Sequence, residues 1–284
     1  MAFLLILLGK SLNLAEGILI KKYNAHHIKG GFIFTALVSL FSMLFFVITD
    51  ADGFHLPDGI LPYGLISGIL YCSASFLTYV ALSCGSFAMS MLILSYSIVF
   101  SIGYGLIVLK EPASIFTYIG LGIMMLSLYL VRGDKESSDK KFSIKWLVCI
   151  LLSVFGSGMF GVVQRMQQIR FDNSCTHEFM IISLGLSAVI LLIIGLAKDG
   201  RELKYIVKNG SLYASLAGLS NGAANLLALV VNTMIPLSIA SPTSAGVKII
   251  LSFLLSKLIF KESFLKRQVA GIILGTLALV FLNI

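Results

Sequence analysis

Residues 31–49 read GFIFTALVSLFSMLFFVIT, an apolar run of 19 residues without a single charged side chain. A helix needs about 20 predominantly apolar residues to cross the hydrocarbon layer of a membrane. Membrane-spanning β-strands are only about 9–11 residues long and alternate apolar with polar side chains. The length and continuity of this run therefore predict a transmembrane helix.

The whole chain has the same character. Of its 284 residues, 58% are hydrophobic and only 12% are charged, and the mean hydropathy is +0.98. Soluble domains carry roughly 25% charged residues. In lipid each segment must satisfy its own backbone hydrogen bonds, so long apolar runs become helices. The composition predicts an all-α, multi-pass integral membrane protein, and we expect it in the plasma membrane.

Ten apolar runs of span length follow one another along the chain. Glycine, proline and charged residues separate them, and the longest charged stretch, residues 132–145, lies at the midpoint. Pro112 and Pro236 stand at span starts, where a missing backbone donor is tolerated. The predicted spans are 2–20, 31–49, 60–82, 86–109, 113–131, 146–164, 178–197, 211–231, 236–259 and 266–283.

Basic residues are distributed unequally between the two sets of loops. If both termini face outside, 16 of the 21 basic residues fall in inner loops or at the inner ends of the adjoining spans. The other five are Lys110, Arg165 and Arg170 in outer loops, and Lys10 and Lys248 within spans. Cytoplasmic loops carry an excess of lysine and arginine. The distribution therefore predicts outside termini, and it explains the net charge of +8 without a nucleic-acid partner.

The two halves of the chain correspond at a shift of 151 residues. All three matches lie in, or between, the last two predicted spans of each half. Three matches at one shift indicate an internal repeat. VLKE at 108–111 falls on IFKE at 259–262, Gly120 on Gly271, and Ser90 on Ser241, while Ser97 corresponds to Lys248.

The number of spans in each half determines their relative orientation. Five is an odd number, so the second half must be inverted with respect to the first. Inverted repeats are typical of transporters whose substrate site lies near the membrane midplane. We predict a first five-helix repeat at 1–131, a charged linker at 132–145 and a second, inverted repeat at 146–284.

Two stretches at corresponding places in the halves resemble a known family. LKEPASIFTYIGLGIMMLSLYLV at 109–131 and FKESFLKRQVAGIILGTLALVFLNI at 260–284 look like the paired repeat of EamA-type transporters in the drug/metabolite transporter (DMT) superfamily. The resemblance covers the whole chain as two copies. It is strongest at residues 86–131 and 236–284.

This resemblance implies a ten-helix permease that carries metabolites or drugs, usually with cytoplasmic termini. For the orientation we follow the charge distribution, which predicts the opposite. Two shorter segments, LAEGILIKK at 14–22 and YCSASF at 71–76, are similar to parts of the small multidrug resistance proteins, which are single four-span units.

Glu16 is the only acid well inside a predicted span. Charged residues at membrane depth usually face a partner or an aqueous cavity. Lys10, Asn13 and Glu16 recur at every third residue and share roughly one face of the first helix. The resemblance to small multidrug resistance proteins implies that Glu16 binds a proton or a cationic substrate. The alternatives are an ion pair with Lys10 or Lys248, or a position near the membrane surface.

Lys248 lies in the middle of the ninth predicted span. It forms one helical stripe with Ser241 and Ser244, and Ser90 occupies the corresponding place in the other half. We predict that this stripe faces a central pathway, where Lys248 binds an anionic group or balances the charge of Glu16. The alternative is that Lys248 extends toward the membrane interface.

Asn221 and Asn225 lie on one face of the eighth predicted span, beside Gly218 and Gly222. Asparagine and glycine are both favoured where membrane helices contact each other. Lining of the pathway and helix–helix attachment are therefore both open for the two asparagines.

Two further polar features are weaker indications. Tyr71 in the third span could stack on a cationic or aromatic substrate, or lie in the core or against lipid. The segment QRMQQ at 164–168 ends the sixth span, and we predict a solvated helix end there, with a gate as the alternative.

These features predict a secondary active transporter that moves a small metabolite or drug by alternating access, with protons as the candidate coupling ion. The sequence has no cofactor, metal-ligand or ATP-binding motif. We expect no enzymatic activity, no nucleic-acid partner, and a monomer or homodimer in the lipid bilayer. A channel or a non-transporting membrane subunit or scaffold is the alternative. The predicted binding residues are Glu16, Lys248, Asn13, Asn221, Asn225, Ser241, Ser244, Ser90 and Tyr71.

Overall fold

The computed structural model describes residues 1–26, 30–50, 53–108, 110, 114–131, 144–235, 237–261 and 265–281. Within these residues the fold is all-α. A single 3₁₀ turn, Gly200–Glu202, joins two of the longer helices. The α-helices are α1 (Ala2–His26), α2 (Gly31–Thr49), α3 (Ile60–Cys84), α4 (Phe87–Ser95), α5 (Ile98–Ile107), α6 (Ile115–Val131), α7 (Ile144–Arg170), α8 (Thr176–Asp199), α9 (Leu203–Met234), α10 (Leu237–Ile259) and α11 (Lys266–Phe281).

A helix occupies each place where the sequence predicts a span, and most of these helices are apolar outside as well as inside. In the part of the chain that the structure describes, five helical stretches are long and apolar enough to cross a membrane. Side chains such as Ile48, Ile107 and Leu258 are more than 70% exposed, which suits contact with lipid rather than water. The five stretches are Ala2–Ala25, Gly31–Thr49, Ile60–Cys84, Ile144–Arg170 and Thr176–Met234.

The fourth predicted span, 86–109, differs from the prediction of one continuous helix. It is divided into α4 and α5 at Tyr96 and Ser97. Here the backbone forms bonds to the third preceding residue, including Tyr96 N–H to the Ile93 carbonyl at 3.0 Å and Ser97 N–H to the Leu94 carbonyl at 3.2 Å. This 3₁₀-type tightening offsets the two helices. The Tyr96 hydroxyl lies 2.6 Å from the Ser127 hydroxyl on α6, which anchors the break.

Helices from the two halves interleave. In the first half, α1 packs on α9 and α10, α2 on α8 and α9, and α3 on α7 and α8. In addition, α4 packs on α10 and α7, and α6 packs on α11. The buried core therefore lies between the halves, and each half provides most of the packing surface of the other.

Glycines bring α9 unusually close to α2. A Cβ atom added at Gly218 would lie 2.6 Å from the Val38 carbonyl oxygen, and one at Gly222 would lie 2.8 Å from the Phe45 Cβ. The Ser42 hydroxyl donates to the Gly218 carbonyl at 2.7 Å. Small residues and serine hydrogen bonds of this kind are typical of membrane helix contacts. They fix the depth of α9, and so the position of Asn221 one turn further along.

Candidate substrate-binding cavity

Two adjoining cavities lie between the halves. Helices α1, α7, α9 and α10 and the α4–α5 break line both, and α2 and α3 line one of them. We name them by their distinctive residues: the glutamate chamber, of about 340 Å³, contains Glu16, and the arginine chamber, of about 230 Å³, contains Arg165. Lys10, Ser97 and Lys248 line both. Their shared walls make the two chambers parts of one polar passage through the apolar bundle.

Asn221 organises the glutamate chamber. Its Nδ2 donates to Oε2 of Glu16 at 2.9 Å, and Asn13 Nδ2 donates to the same oxygen at 3.3 Å. On its other side, the Asn221 Oδ1 atom accepts from Tyr71 and Asn225, each 3.0 Å away. It shares the single Ser42 hydroxyl proton, also 3.0 Å away, with the Gly218 carbonyl. The bonds come from four helices, so the Glu16 side chain is held in one orientation. No described residue donates to its Oε1, which is left for a ligand or water.

Lys10 and Lys248 have a different environment. Both side chains are half-buried and line the passage. Neither forms a hydrogen bond or an ion pair with any residue that the structure describes. The predicted alternative of an ion pair between Glu16 and one of these lysines is therefore not seen. Charges at membrane depth are costly unless a partner or water compensates them, so the lysines are equipped to receive a negatively charged group.

The structure brings most of the predicted binding residues to this passage. Glu16, Asn13, Asn221, Asn225 and Tyr71 line the glutamate chamber, Ser244 lines the arginine chamber, and Lys248 lines both.

Ser90 and Ser241 are the exceptions. The Ser90 hydroxyl accepts from Trp146 Nε1 at 3.0 Å and donates to the Ser86 carbonyl at 2.7 Å. Ser90 is fully buried and lies outside both linings, so the structure gives it a packing role. The side chain of Ser241 is outside the described part of the structure.

The structure corrects the prediction of a solvated helix end at 164–168. Helix α7 continues to Arg170, which keeps this segment inside the bundle. Gln167 and Gln168 are no more than 1% exposed, and Gln167 Nε2 donates to the Ser174 carbonyl at 2.9 Å. Gln164 lines both chambers, whereas Arg165 and Gln168 line the arginine chamber.

Several lining residues carried little indication in the sequence. Lys10 appeared only as a neighbour of Glu16, although its depth in an apolar run was the useful clue. Ser97 lines both chambers because the α4–α5 break turns it inward. The repeat pairs Ser97 with Lys248, and that pairing was the indication available.

An aromatic layer closes the glutamate chamber at one end. The Tyr23 and Phe34 rings stack at 4.0 Å between centroids, and Phe34 contacts Tyr79 at 5.7 Å. All three side chains are at most 4% exposed. They come from the end of α1, the start of α2 and the end of α3, which meet at one end of the bundle. The arginine chamber lies toward the opposite end, beside the start of α1.

A membrane bundle with a charged central cavity between two halves is the arrangement of a transport protein. The family model described as the EamA-like transporter family matches residues 144–284. The chain therefore belongs to the EamA-like transporter family, on a match that covers its second half, and it is a multi-pass membrane protein of a transporter family.

A solved structure supports the fold. It is described only as "Crystal structure of protein", and it aligns with a TM-score of 0.55 and 14% identity over 97% of this chain and 98% of its own. At that identity the likeness concerns the fold alone. No match is found among curated proteins.

Proposed function

We propose that this protein is a secondary active transporter that moves a small metabolite across the plasma membrane by alternating access. The observation that carries the proposal is the polar passage between the halves. Within it, one oxygen of Glu16 is held by amide donors, and two lysines have no partner among the described residues. Such groups at membrane depth usually mark a substrate or ion path.

The packing pattern supports two inverted repeats. If the helices of one half are exchanged for their counterparts in the other, the pair α1–α9 becomes α7–α3, and the pair α2–α9 becomes α8–α3. Both members of each exchange are observed. The pairs α2–α8, α4–α10 and α6–α11 join counterparts, so exchange leaves them unchanged. This is the pattern expected of a pseudo-twofold axis, and an odd number of spans in each half would place that axis in the membrane plane.

The backbone provides independent support for the same axis. Lys110 and Lys261, which correspond at the 151-residue shift, both adopt left-handed backbone, with φ of 52° and 50°. Left-handed φ is uncommon for residues other than glycine. The same unusual turn therefore follows α5 and α10. Across the passage, Ser97 at the helix break faces the region of its counterpart Lys248.

In this proposal, rocking of the halves exposes the passage to each side in turn. The aromatic layer of Tyr23, Phe34 and Tyr79 closes one end here, and its separation would open that end. The α4–α5 break provides a place where one wall can bend, since a short 3₁₀ segment within a helix commonly marks a hinge. Glu16 is the candidate site for the coupling proton, because its free oxygen faces the chamber.

Counterflow in proteoliposomes tests this function. Vesicles containing the purified protein are loaded in turn with amino acids, amines, organic acids or sugar phosphates, and the labelled form is added outside in trace amount. A carrier produces transient accumulation of label above equilibrium, because exchange passes through one site. We expect this overshoot for at least one compound.

Matched variants connect the flux to the site. Glu16→Gln should reduce the initial exchange rate about tenfold, because a charge-assisted hydrogen bond of ~1.5–3 kcal/mol is lost. Glu178→Gln, the same substitution in the first turn of α8 and outside both linings, should leave the rate unchanged. Flux that never overshoots would identify a channel, and absence of flux for every compound would contradict transport.

A further inference from the structure

The passage carries far more positive than negative charge. Lys10, Arg165 and Lys248 are the basic residues among its described lining, and Glu16 is the only acidic one. All three cations border the arginine chamber, whose described lining contains no acid. The excess therefore extends from the arginine chamber to the boundary that it shares with the glutamate chamber, where Lys10 and Lys248 lie.

These cations have no directly bonded partner in the described protein, although Glu16 attracts Lys248 across the cavity. Lys10, Arg165 and Lys248 form no hydrogen bond or ion pair with a described residue. The Arg165 Nε atom is buried without a partner, and so are the Gln168 Nε2 and Oε1 atoms beside it. Buried polar groups in proteins are nearly always bonded, and exceptions call for a ligand, an ion or water. Here the unbonded groups border one cavity.

Lys10 and Lys248 also repel each other when the passage is empty. They project from different helices, α1 and α10, onto the same part of the lining, and a negative group between them would relieve that repulsion. Oxyanions suit the space, because a carboxylate or phosphate accepts bonds from several ammonium and guanidinium donors at once.

We propose that the substrate is an organic oxyanion, a carboxylate or a phosphate ester, whose charged group binds between Lys10 and Lys248 after passing Arg165. This proposal rests on the proposed transport function and names its substrate class. The rest of the substrate lies in the glutamate chamber, where the free Oε1 of Glu16 accepts from a hydroxyl or amino group. Recognition then requires both a negative end and a hydrogen-bond donor.

A cysteine in the passage tests the charge preference without knowledge of the substrate. Ser97→Cys is placed in the full chain after Cys72, Cys84, Cys149 and Cys175 are replaced by alanine. Its reaction rate is measured with a neutral, an anionic and a cationic methanethiosulfonate, and each rate is divided by that of the same reagent with a small thiol in solution, because a thiolate itself favours cationic reagents. The ratios below are ratios of these corrected rates. If Ser97→Cys does not fold, Ser157→Cys on α7, which also lines both chambers, replaces it.

We expect the anionic reagent to react at least ~10-fold faster than the cationic one, since a cleft lined by one sign of charge enriches counter-ions by about 10–10³. Lys10→Gln and Lys248→Gln should each reduce that ratio severalfold. Lys22→Gln, at an exposed position outside both linings, should not. A ratio at or below one, or a ratio unaffected by both cavity variants, would overturn the proposal while leaving the transport function intact. If even the neutral reagent cannot react, the passage is closed to water and the transport function itself is contradicted.

Protection of the same cysteine from methanethiosulfonate by added compounds distinguishes a phosphate ester from a carboxylate as the substrate. Glycerol 3-phosphate and glycerate are compared with neutral glycerol, and each is tested to its highest soluble concentration. Protection by the phosphate ester or by the carboxylate supports the proposal and assigns the source. Protection by glycerol alone, or by none of the three, would overturn it.

Discussion

The two chambers of the passage are built in opposite ways. In the glutamate chamber, Asn221 connects Glu16 to Tyr71, Ser42 and Asn225 through bonds of 2.9–3.0 Å. In the arginine chamber, the charged and amide groups of Arg165, Gln168 and Lys248 have no bonds to described residues. The first arrangement stabilises the fold, whereas the second costs stability until a ligand arrives. In the proposed function, the glutamate chamber is therefore the preorganised part of the passage, and the arginine chamber is the part whose charges a bound anion would balance.

The largest loss of stability should come from replacing Asn221, the residue at the centre of the hydrogen bonds in the glutamate chamber. Asn221→Leu leaves Glu16, Tyr71 and Asn225 without their common partner, and we expect a loss of about 3 kcal/mol, as several buried bonds of ~1 kcal/mol each are broken. Thermal unfolding in detergent measures it. Asn232→Leu is the control, because Asn232 lies on the same helix, lines the arginine chamber and bonds to no described residue. Equal losses for the two variants would remove the distinction between the chambers.

The second variant tests whether the close contact between α2 and α9 determines the position of Asn221. Gly218→Ala places a methyl group 2.6 Å from the Val38 carbonyl oxygen, so α9 must move outward. We expect a loss of about 2 kcal/mol from overpacking. Gly246→Ala on α10 is the matched control, since nothing lies within 4 Å of its added Cβ. It should be neutral or stabilising, because alanine favours a helix over glycine by about 1 kcal/mol.

The third variant, at Lys248, should increase stability, whereas the first two reduce it. Lys248→Met removes an unpartnered charge from the passage and keeps its apolar stem, so we expect a gain of about 1 kcal/mol in stability together with loss of transport. Thermal unfolding without ligand and counterflow on the same preparation measure the two quantities. Lys22→Met at an exposed site should change neither. A Lys248→Met protein that is less stable than the native one would show that this lysine has a structural partner.

The smallest effect concerns one hydrogen bond of the glutamate chamber. Tyr71→Phe removes the hydroxyl that lies 3.0 Å from Asn221 and leaves the ring in contact with Phe160, 5.5 Å away between centroids. We expect a loss of about 0.6 kcal/mol, the average for such a bond between membrane helices. The measured free energy of unfolding of Tyr71→Phe should be well above that of Asn221→Leu. A loss as large as that of Asn221→Leu would mean that Tyr71, not Asn221, organises the chamber.

Much of the site could be predicted from charge at membrane depth alone. Glu16 and Lys248 were identifiable because a charge within an apolar run has few permitted surroundings. Asn221 was identifiable as a polar residue within a span. The sequence could not decide whether it lines the cavity or attaches one helix to another, and in the structure it does both. Its amide bonds to Glu16, while its neighbour Gly218 packs on α2.

The predictions that did not hold depended on helix ends and on rotation about the helix axis. Residues 164–168 lie near the predicted end of a span, but α7 continues to Arg170 and buries Gln167 and Gln168. Ser90 was placed in the pathway by its repeat position, yet its hydroxyl bonds to Trp146. Apolar periodicity is weak in a membrane helix, because lipid and core are equally apolar, so it does not determine which face is inward.

The sequence by itself determined that this protein is a bundle of membrane helices, and which residues are too polar to face lipid. It could do so because the hydrocarbon layer imposes the same length and composition on every span. Only the tertiary structure decided that Lys10, Arg165 and Lys248 share one cavity, and that Asn221 joins Glu16 to three other helices. Those juxtapositions link residues far apart in sequence, 205 positions in the Glu16–Asn221 bond, and they arise from how the halves interleave, which local sequence does not specify.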